Sequence, residues 1–109
     1  MDLTKIHCVP CEGGVPPLTR KEANKYLEQT AQWEIFDEKP MKIERKFIFK
    51  DFKEAMRFIN RVADLANLED HHPNIYLHNY KKVDIILYTH AIGGLSENDY
   101  IMAAKINEL

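Results

Sequence analysis

Three histidines are the side chains of this sequence best suited to moving protons. His71 and His72 are adjacent, Pro73 follows them, and His90 comes nineteen residues after His71. Imidazole changes its charge near neutral pH, so a group of imidazoles can take a proton from one part of a substrate and deliver one to another. Two plainer interpretations stay open. Adjacent histidines can cap the carbonyls at a helix end, and His90 can be a surface residue of a strand.

The elements around these histidines predict that they meet. Pro73 disfavours helical geometry at His72, so the preceding helix is expected to end at this point. A hairpin between the third and fourth strands then brings the start of the third strand close to the end of the fourth. The turn at 71–72 and His90 should therefore converge, whatever the family of the protein. A metal site is not predicted, since no pattern such as H-E-x-x-H is present.

Alternating side chains assign faces to these two strands. The third strand is predicted from Asn74 to Tyr80 and the fourth from Lys82 to His90. One face of the fourth strand is purely aliphatic and is expected to meet the helices; its residues are Val83, Ile85 and Leu87. By the same parity, Ile86, Tyr88 and His90 point to the opposite side.

Three helix starts share a capping signature, a side-chain oxygen followed three residues later by a carboxylate. The pairs are Thr19 with Glu22, Asp51 with Glu54, and Ser96 with Asp99. The first helix is predicted over 19–30. The second has apolar residues at three- and four-residue spacing, and we expect it to bury Phe52, Ala55, Met56, Ile59, Val62, Ala63 and Ala66. The third is apolar over more than one face, which favours burial against another subunit.

The remaining strands complete the fold prediction. Trp33 to Asp37 and Met41 to Lys50 are expected to pair through a turn at Lys39 and Pro40, although Arg45 interrupts the apolar face of the second of these strands. The order α-β-β-α-β-β-α predicts an α+β domain, a four-stranded antiparallel sheet with three helices on one face. Residues 1–18 are expected to be an irregular leader, and 19–109 a single domain.

Composition excludes several classes of function. The chain has 109 residues and a net charge of -2, so it lacks the basic excess typical of direct nucleic-acid binding. No apolar run is long enough to cross a bilayer, and no signal peptide is recognisable, which predicts a cytoplasmic protein without a membrane partner. Cys8 and Cys11 form a C-x-x-C. Reduced thiols in a loop are the favoured interpretation, with a redox pair or half of a zinc site as alternatives.

The histidines belong to a longer pattern. It runs through Glu69-Asp70-His71-His72-Pro73, Tyr80, His90, Gly94-Leu95-Ser96 and Asp99, and it extends upstream through Trp33, Phe47, Phe49 and Asp51-Phe52. From about Pro17 onward the chain resembles the pterin-4a-carbinolamine dehydratases. Asn67 departs from the family, which often carries a charged residue four positions before the first histidine.

The resemblance implies an activity and a set of site residues. The activity is dehydration of 4a-hydroxytetrahydrobiopterin to quinonoid dihydropterin in tetrahydrobiopterin recycling, with no cofactor and no metal. His71 and His90 would be the proton donors on opposite faces of the substrate, and His72 would bind and orient it. Pro73 is included in the substrate site, and Tyr88 and Thr89 would offer backbone hydrogen bonds. Glu69 and Asp99 are candidate helper carboxylates, although capping alone is sufficient reason for Asp99.

The family also implies other functions. Some relatives act as dimerisation cofactors of a homeodomain transcription factor, so a binding module of the same fold is an alternative. A dehydratase-like protein acting on another pterin is a further one. The expected partners are the pterin substrate and other copies of this chain, in a homodimer or a homotetramer.

Overall fold

Three α-helices and a four-stranded sheet follow one another in the predicted order. The computed structural model describes residues 2–10 and 13–109. Its elements are α1 (Arg20–Leu27), β1 (Glu34–Phe36), β2 (Lys42–Ile48), α2 (Phe52–Glu69), β3 (Asn74–His78), β4 (Lys82–Leu87) and α3 (Glu97–Ile106), with short 3-10 helices at Leu3–Lys5 and His90–Ile92. Within the two described ranges, no helix is both long and apolar enough to cross a membrane.

The sheet has the strand order β1-β2-β4-β3, and every neighbouring pair is antiparallel. In the β3–β4 hairpin, Asn74 pairs with Ile86 and His78 pairs with Lys82. The first residue of β3 therefore lies beside the end of β4, as the sequence predicted. This register brings the segment after α2 to the same end of the sheet as the segment that carries His90.

The side chains of β4 alternate between a buried face and a partly exposed face. Val83, Ile85 and Leu87 are completely buried, and they form a core with the helices that cover this side. Asp84 and Ile86 point to the other face and stay partly exposed. The alternation was predicted, and it leaves one face of the sheet open for a site at its edge.

The buried face of α2 differs from the predicted one. Phe52 is 51% exposed, and Met56 and Ala63 are only partly buried. The apolar residues that α2 buries are Ala55, Phe58, Val62 and Ala66. The expectation was right for Ala55, Val62 and Ala66. It was wrong for Phe52, Met56 and Ala63, because the apolar residues of α2 form two overlapping stripes and docking selects the one that contains Phe58. The Phe58 ring contacts the rings of Phe47 and Phe49 on β2 and just after it, at 4.6 Å and 5.0 Å between centroids.

The third helix is buried within its own chain. All residues from Asn98 to Ala104, and Ile106, are buried. The leader supplies Leu3, which is 2% exposed, and Tyr100 donates a hydrogen bond to the carbonyl of Ala23 in α1. Contacts within this chain are therefore sufficient to bury the apolar residues of α3. The expectation that this helix needs a neighbouring copy was wrong, and the homodimer or homotetramer stays a prediction.

The described part of the leader, residues 2–10 and 13–18, is irregular apart from one 3-10 turn, yet it is docked on the domain. The Leu18 amide donates to the carbonyl of Leu95, and Asn98 bonds to Val9. Cys8 is half-buried, and burial together with the nearby Glu69 carboxylate raises the pKa of its thiol to about 12. Cys8 is therefore an unreactive thiol near neutral pH. Cys11 lies outside the described residues, and so does the C-x-x-C interpretation that depends on it.

The position of Phe58 predicts a large difference between two phenylalanines of one helix. Phe58→Ala should lower the free energy of unfolding by about 3–5 kcal/mol, because it opens a cavity beside Phe47 and Phe49. Phe52→Ala, in the same helix, should cost less than about 1 kcal/mol, because that ring is half exposed. Urea unfolding at low protein concentration measures both. Equal losses would contradict the docking of α2 described above.

Candidate active site

The two adjacent histidines follow a sharp end of α2. Asp70 caps the helix in the left-handed region with φ 53°, and its amide donates to the carbonyl of Ala66. The His71 amide donates to the same carbonyl at 3.2 Å. Pro73 then leads directly into β3. The helix thus ends where Pro73 predicted, and the turn holds the backbone of His71 in one place.

His72 and His90 line one cavity on the open side of the sheet. Its walls are formed by His72, Asn74, Ile86, Tyr88 and His90. The Tyr88 and His90 rings meet edge to face with 6.4 Å between centroids. The structure therefore brings together two of the three histidines around a single cavity, and His71 is next in the chain to one of them.

The sequence predicted that His90 is the last residue of strand β4, and this prediction was wrong. The strand ends at Leu87, and His90 opens the 3-10 helix His90–Ile92. This short loop is closed by a bridge in which the Thr89 amide donates to the carbonyl of Gly94 at 2.7 Å. A Cβ at Gly94 would lie 2.7 Å from the Pro17 side chain, so only glycine fits there without movement of the leader. Strand parity still placed the His90 side chain on the correct side of the sheet.

His71 is paired with Asp99. Its Nε2 lies 2.7 Å from Oδ1 of Asp99, and the two side chains are 12% and 0% exposed. Oδ2 of Asp99 accepts hydrogen bonds of 2.9 Å from the Thr89 hydroxyl and from the Ser96 amide. Asp99 therefore caps α3 and holds His71 at once. Because a carboxylate only accepts, Nε2 of His71 is the donor, and Nδ1 is left as the nitrogen that can exchange a proton.

His72 has a separate support. Its Nε2 lies 3.2 Å from Oδ1 of Asn67, one turn earlier in α2. Asn67 is the residue at which this sequence departs from the family pattern that it resembles. An amide oxygen can accept from the imidazole without adding charge, so Asn67 orients His72 and leaves its other nitrogen for the cavity.

Glu69 bonds to groups other than His71, His72 and His90. Its side chain is 2% exposed and bonds to Nζ of Lys105 at 2.7 Å and to the amide of Cys8 at 2.8 Å. Burial alone would raise the pKa of Glu69, but the Lys105 ammonium, the Cys8 amide and His7 together lower it to about 2. Of the two candidate helper carboxylates, Asp99 is the one that contacts His71, and Glu69 bonds to Lys105 and the leader instead.

The other expected substrate residues divide into two groups. Tyr88 lines the cavity with its side chain. Thr89 is 3% exposed, and its backbone amide and carbonyl are both paired with Gly94, so the expected backbone hydrogen bonds from Thr89 to a pterin are already taken. Pro73 is partly buried in the turn before the cavity. Asn74 and Ile86 line the cavity but were not predicted; parity with Tyr88 and the register of the hairpin could have indicated both.

A comparison with known protein families identifies the family of this chain. The family model described as pterin 4 alpha carbinolamine dehydratase matches residues 16–109. The chain belongs to this family. Across the described residues, no three histidine, cysteine or acidic side chains are grouped so that they could hold a metal ion.

Relatives in bacteria and plants match over nearly the whole chain. A protein from Halorhodospira halophila is 45% identical over 109 residues, which cover 100% of this chain and 98% of its own, and its name as a pterin-4-alpha-carbinolamine dehydratase is provisional. A protein from Arabidopsis thaliana named pterin-4-alpha-carbinolamine dehydratase 2, mitochondrial, is 43% identical over 99% of this chain and 59% of its own length.

Two solved structures share the fold. A transcriptional coactivator/pterin dehydratase from Brucella melitensis superimposes with a TM-score of 0.77 at 38% identity, over 84% of this chain and 96% of that one. A pterin dehydratase-like protein identified as a RuBisCO assembly factor of the alpha-carboxysome reaches 0.60 at 22% identity, over 73% and 90% of the two chains. The second likeness shows a common fold alone.

The environment of Asp99 predicts an unusually costly substitution for a helix cap. Asp99→Ala leaves the Ser96 amide and His71 Nε2 without their acceptor in a buried place, and each unpaired group costs about 1–3 kcal/mol. The Thr89 hydroxyl keeps Ser96 Oγ, 2.6 Å away, as a partner. Asp51→Ala removes the cap of α2, which bonds one amide, and should cost about 0.5–2 kcal/mol. Urea unfolding of both variants measures the difference. A loss for Asp99→Ala no larger than that for Asp51→Ala would contradict the network.

The lowered pKa of Glu69 predicts how stability depends on pH. A carboxyl with a folded pKa of about 2 and an ordinary value of 4.5 stabilises the fold above pH 4.5, and this stabilisation is lost as the pH falls towards 2. Glu69→Gln should therefore be less stable near neutrality and lose less on acidification. Urea midpoints at about pH 6 and about pH 3 test this. Glu28→Gln, at an exposed carboxyl just after α1, serves as the control and should keep the wild-type pH dependence.

Proposed function

We propose that this protein dehydrates a 4a-hydroxytetrahydropterin to the quinonoid dihydropterin. The observation that carries the proposal is the cavity shared by His72 and His90 beside the His71–Asp99 hydrogen bond. Two imidazoles from distant parts of the chain line this cavity, and the third, His71, is next to His72 in the chain and is fixed by a buried carboxylate. Membership of the family supports the same substrate class.

The elimination needs two proton transfers and no change of oxidation state. The hydroxyl on carbon 4a gains a proton and leaves as water. Nitrogen 5 loses its proton, and the electron pair of its N–H bond becomes the second bond between nitrogen 5 and carbon 4a. Atoms and electrons balance without an added cofactor. Groups that give and accept protons near neutral pH are the chemistry required, and imidazole supplies it.

The contacts support a division of roles among the histidines. His71 exchanges a proton through Nδ1, because Asp99 holds its other nitrogen as a donor. His90, which lines the cavity, exchanges the second proton. His72 is held by Asn67 and orients the substrate. Tyr88 and Ile86 offer apolar surface against which a flat pterin ring can pack.

The substrate class also suggests a place in metabolism. A 4a-hydroxylated tetrahydropterin is left when a tetrahydropterin has supplied electrons for hydroxylation of an aromatic amino acid. We therefore place the reaction in tetrahydrobiopterin recycling, in the cytoplasm. A pterin of another kind is the alternative substrate, and a panel of hydroxylated pterins with different side chains separates the two.

Protein binding is a second candidate function. Phe52, at the start of α2, is 51% exposed, and Met56, one turn later, is only partly buried, so the start of this helix presents an apolar surface. The similar structure from Brucella melitensis is described as a coactivator as well as a pterin dehydratase. Analytical ultracentrifugation tests whether this surface joins copies of the chain, and substitution of both residues by serine should then give a monomer.

Histidine substitutions test the catalytic proposal. His71→Ala and His90→Ala should each slow the elimination by roughly 10²–10⁴-fold, the usual scale for the loss of one acid–base group. The loss is smaller where the remaining histidine substitutes for the missing one or where the uncatalysed elimination is fast. His72→Ala should raise KM more than either of these changes does. Stopped-flow formation of the quinonoid product from chemically generated carbinolamine measures all three variants.

His78→Ala is the matched control for these variants. His78 lies at the far end of β3, stacked on Tyr76 and 3.3 Å from Asp84, and should leave the rate unchanged. A wild-type rate equal to that in buffer would refute the enzymatic function. Unchanged rates in the His71/His90 double variant would refute the residue assignment.

A further inference from the structure

A buried ion pair outside the cavity ties the leader to two helices of the site. Glu69 is the last residue of α2, and its Oε2 accepts from Nζ of Lys105 in the last turn of α3 at 2.7 Å. Its Oε1 accepts from the backbone amide of Cys8 at 2.8 Å, and His7 Nδ1 lies 3.2 Å from Oε2. The proposed elimination does not use any of these groups.

A second link lies one residue before Asp99. The Asn98 side chain is buried, and its Oδ1 accepts from the amide of Val9 at 3.0 Å. Its Nδ2 donates to the carbonyl of the same residue at 2.6 Å. One side-chain amide thus satisfies both polar groups of one backbone residue, as a neighbouring strand would. The Val9 side chain is 67% exposed, so the leader is held here by its backbone.

We infer that Glu69 and Asn98 are positioning residues for the elimination, and that leader residues 7–9 act as a strap that holds them. The inference rests on the proposed function, because it concerns the same histidine pair. The strap bonds to the end of α2 on one side and to the first turn of α3 on the other. It therefore sets how these two helix ends lie relative to each other.

The path from the strap to the proton-transfer pair is short on both sides. On α2, only Asp70 separates Glu69 from His71, and both Asp70 and His71 donate their amides to the Ala66 carbonyl, so a shift of Glu69 passes to His71. On α3, Asn98 adjoins Asp99 within the same helix. The 2.7 Å hydrogen bond between His71 and Asp99 spans the two helix ends that the strap joins.

Directional bonds explain why polar groups are used here. Apolar packing fills space but fixes a distance less sharply than a charge-assisted hydrogen bond does. The groups that face the Glu69 carboxylate are Lys105 from α3 and His7 and the Cys8 amide from the leader. Burial would raise the pKa of Glu69, yet these groups lower it to about 2, so the carboxylate stays ionised near neutrality and the strap stays bonded.

The first test removes the link at Asn98. Asn98→Ala should lower kcat by roughly ten- to a hundredfold, the scale for misplacement of a catalytic group by up to about 1 Å. KM should change by less than about twofold, because the hydrogen bonds described for the strap go to Glu69 and Asn98 and not to the residues that line the cavity. The nitrogen NMR shifts of the His71 ring, which report the proton on Nε2, should move. Asn60→Ala, at an exposed asparagine of α2, is the control and should leave all three readouts at the wild-type values.

The second test changes only the strap, in case Asn98→Ala fails to fold. Val9→Pro removes the amide that donates to Asn98, and it should lower kcat and move the His71 shifts in the same direction. Val9→Ala is its matched control, since it keeps the amide and shortens only an exposed side chain. Circular dichroism identifies the variants that are folded.

The outcomes separate this inference from the proposed function. Folded Asn98→Ala and Val9→Pro proteins with wild-type His71 shifts and wild-type kcat would overturn it. A fall in kcat with unmoved His71 shifts would also overturn it, because the strap would then act by another route. If the wild type proves inactive while the His71 shifts move in both variants, the positioning holds and the proposed function fails.

Discussion

A single buried carboxylate joins the parts of this site. Asp99 is completely shielded from water, and a charge in such a place is stable only when donors surround it. Its three donors come from the turn after α2, from the end of β4 and from the start of α3. The need to satisfy this carboxylate therefore fixes three segments at once. The positions of these segments in turn determine the shape of the cavity.

The two faces of the sheet have separate tasks. The face covered by helices holds the apolar core, and Val83, Ile85 and Leu87 supply its centre. The open face carries the cavity, and it does so at the end of β4, where the sheet stops and loops begin. Proton-transfer groups placed there stand on rigid elements but remain within reach of a substrate. This is the usual compromise between precision and access.

Connectivity was enough to predict part of the site, and packing decided the rest. The convergence of His72 and His90 follows from a helix stop at Pro73 and a hairpin, both of which are local signals. The bond between His71 and Asp99 depends on how α3 docks, and no periodicity contains that information. The same holds for Phe52, which belongs to a convincing apolar stripe but lies outside the one that meets the sheet. Asn98 looks in the sequence like an ordinary solvated polar residue, and no sequence signal indicates that Glu69 bonds to the leader and to Lys105.

The docking of the leader has a consequence for synthesis of the chain. Val9 and its partner Asn98 are 89 residues apart in sequence. On the ribosome the leader emerges well before the helix that receives it. Until then, the stripe of α2 and the core face of the sheet lack the helix that covers them, and exposed apolar surface of this kind favours aggregation. A nascent chain arrested before α3 would thus be prone to aggregation and would lack Asp99. Assembly of the site is therefore a late event that depends on long-range contacts.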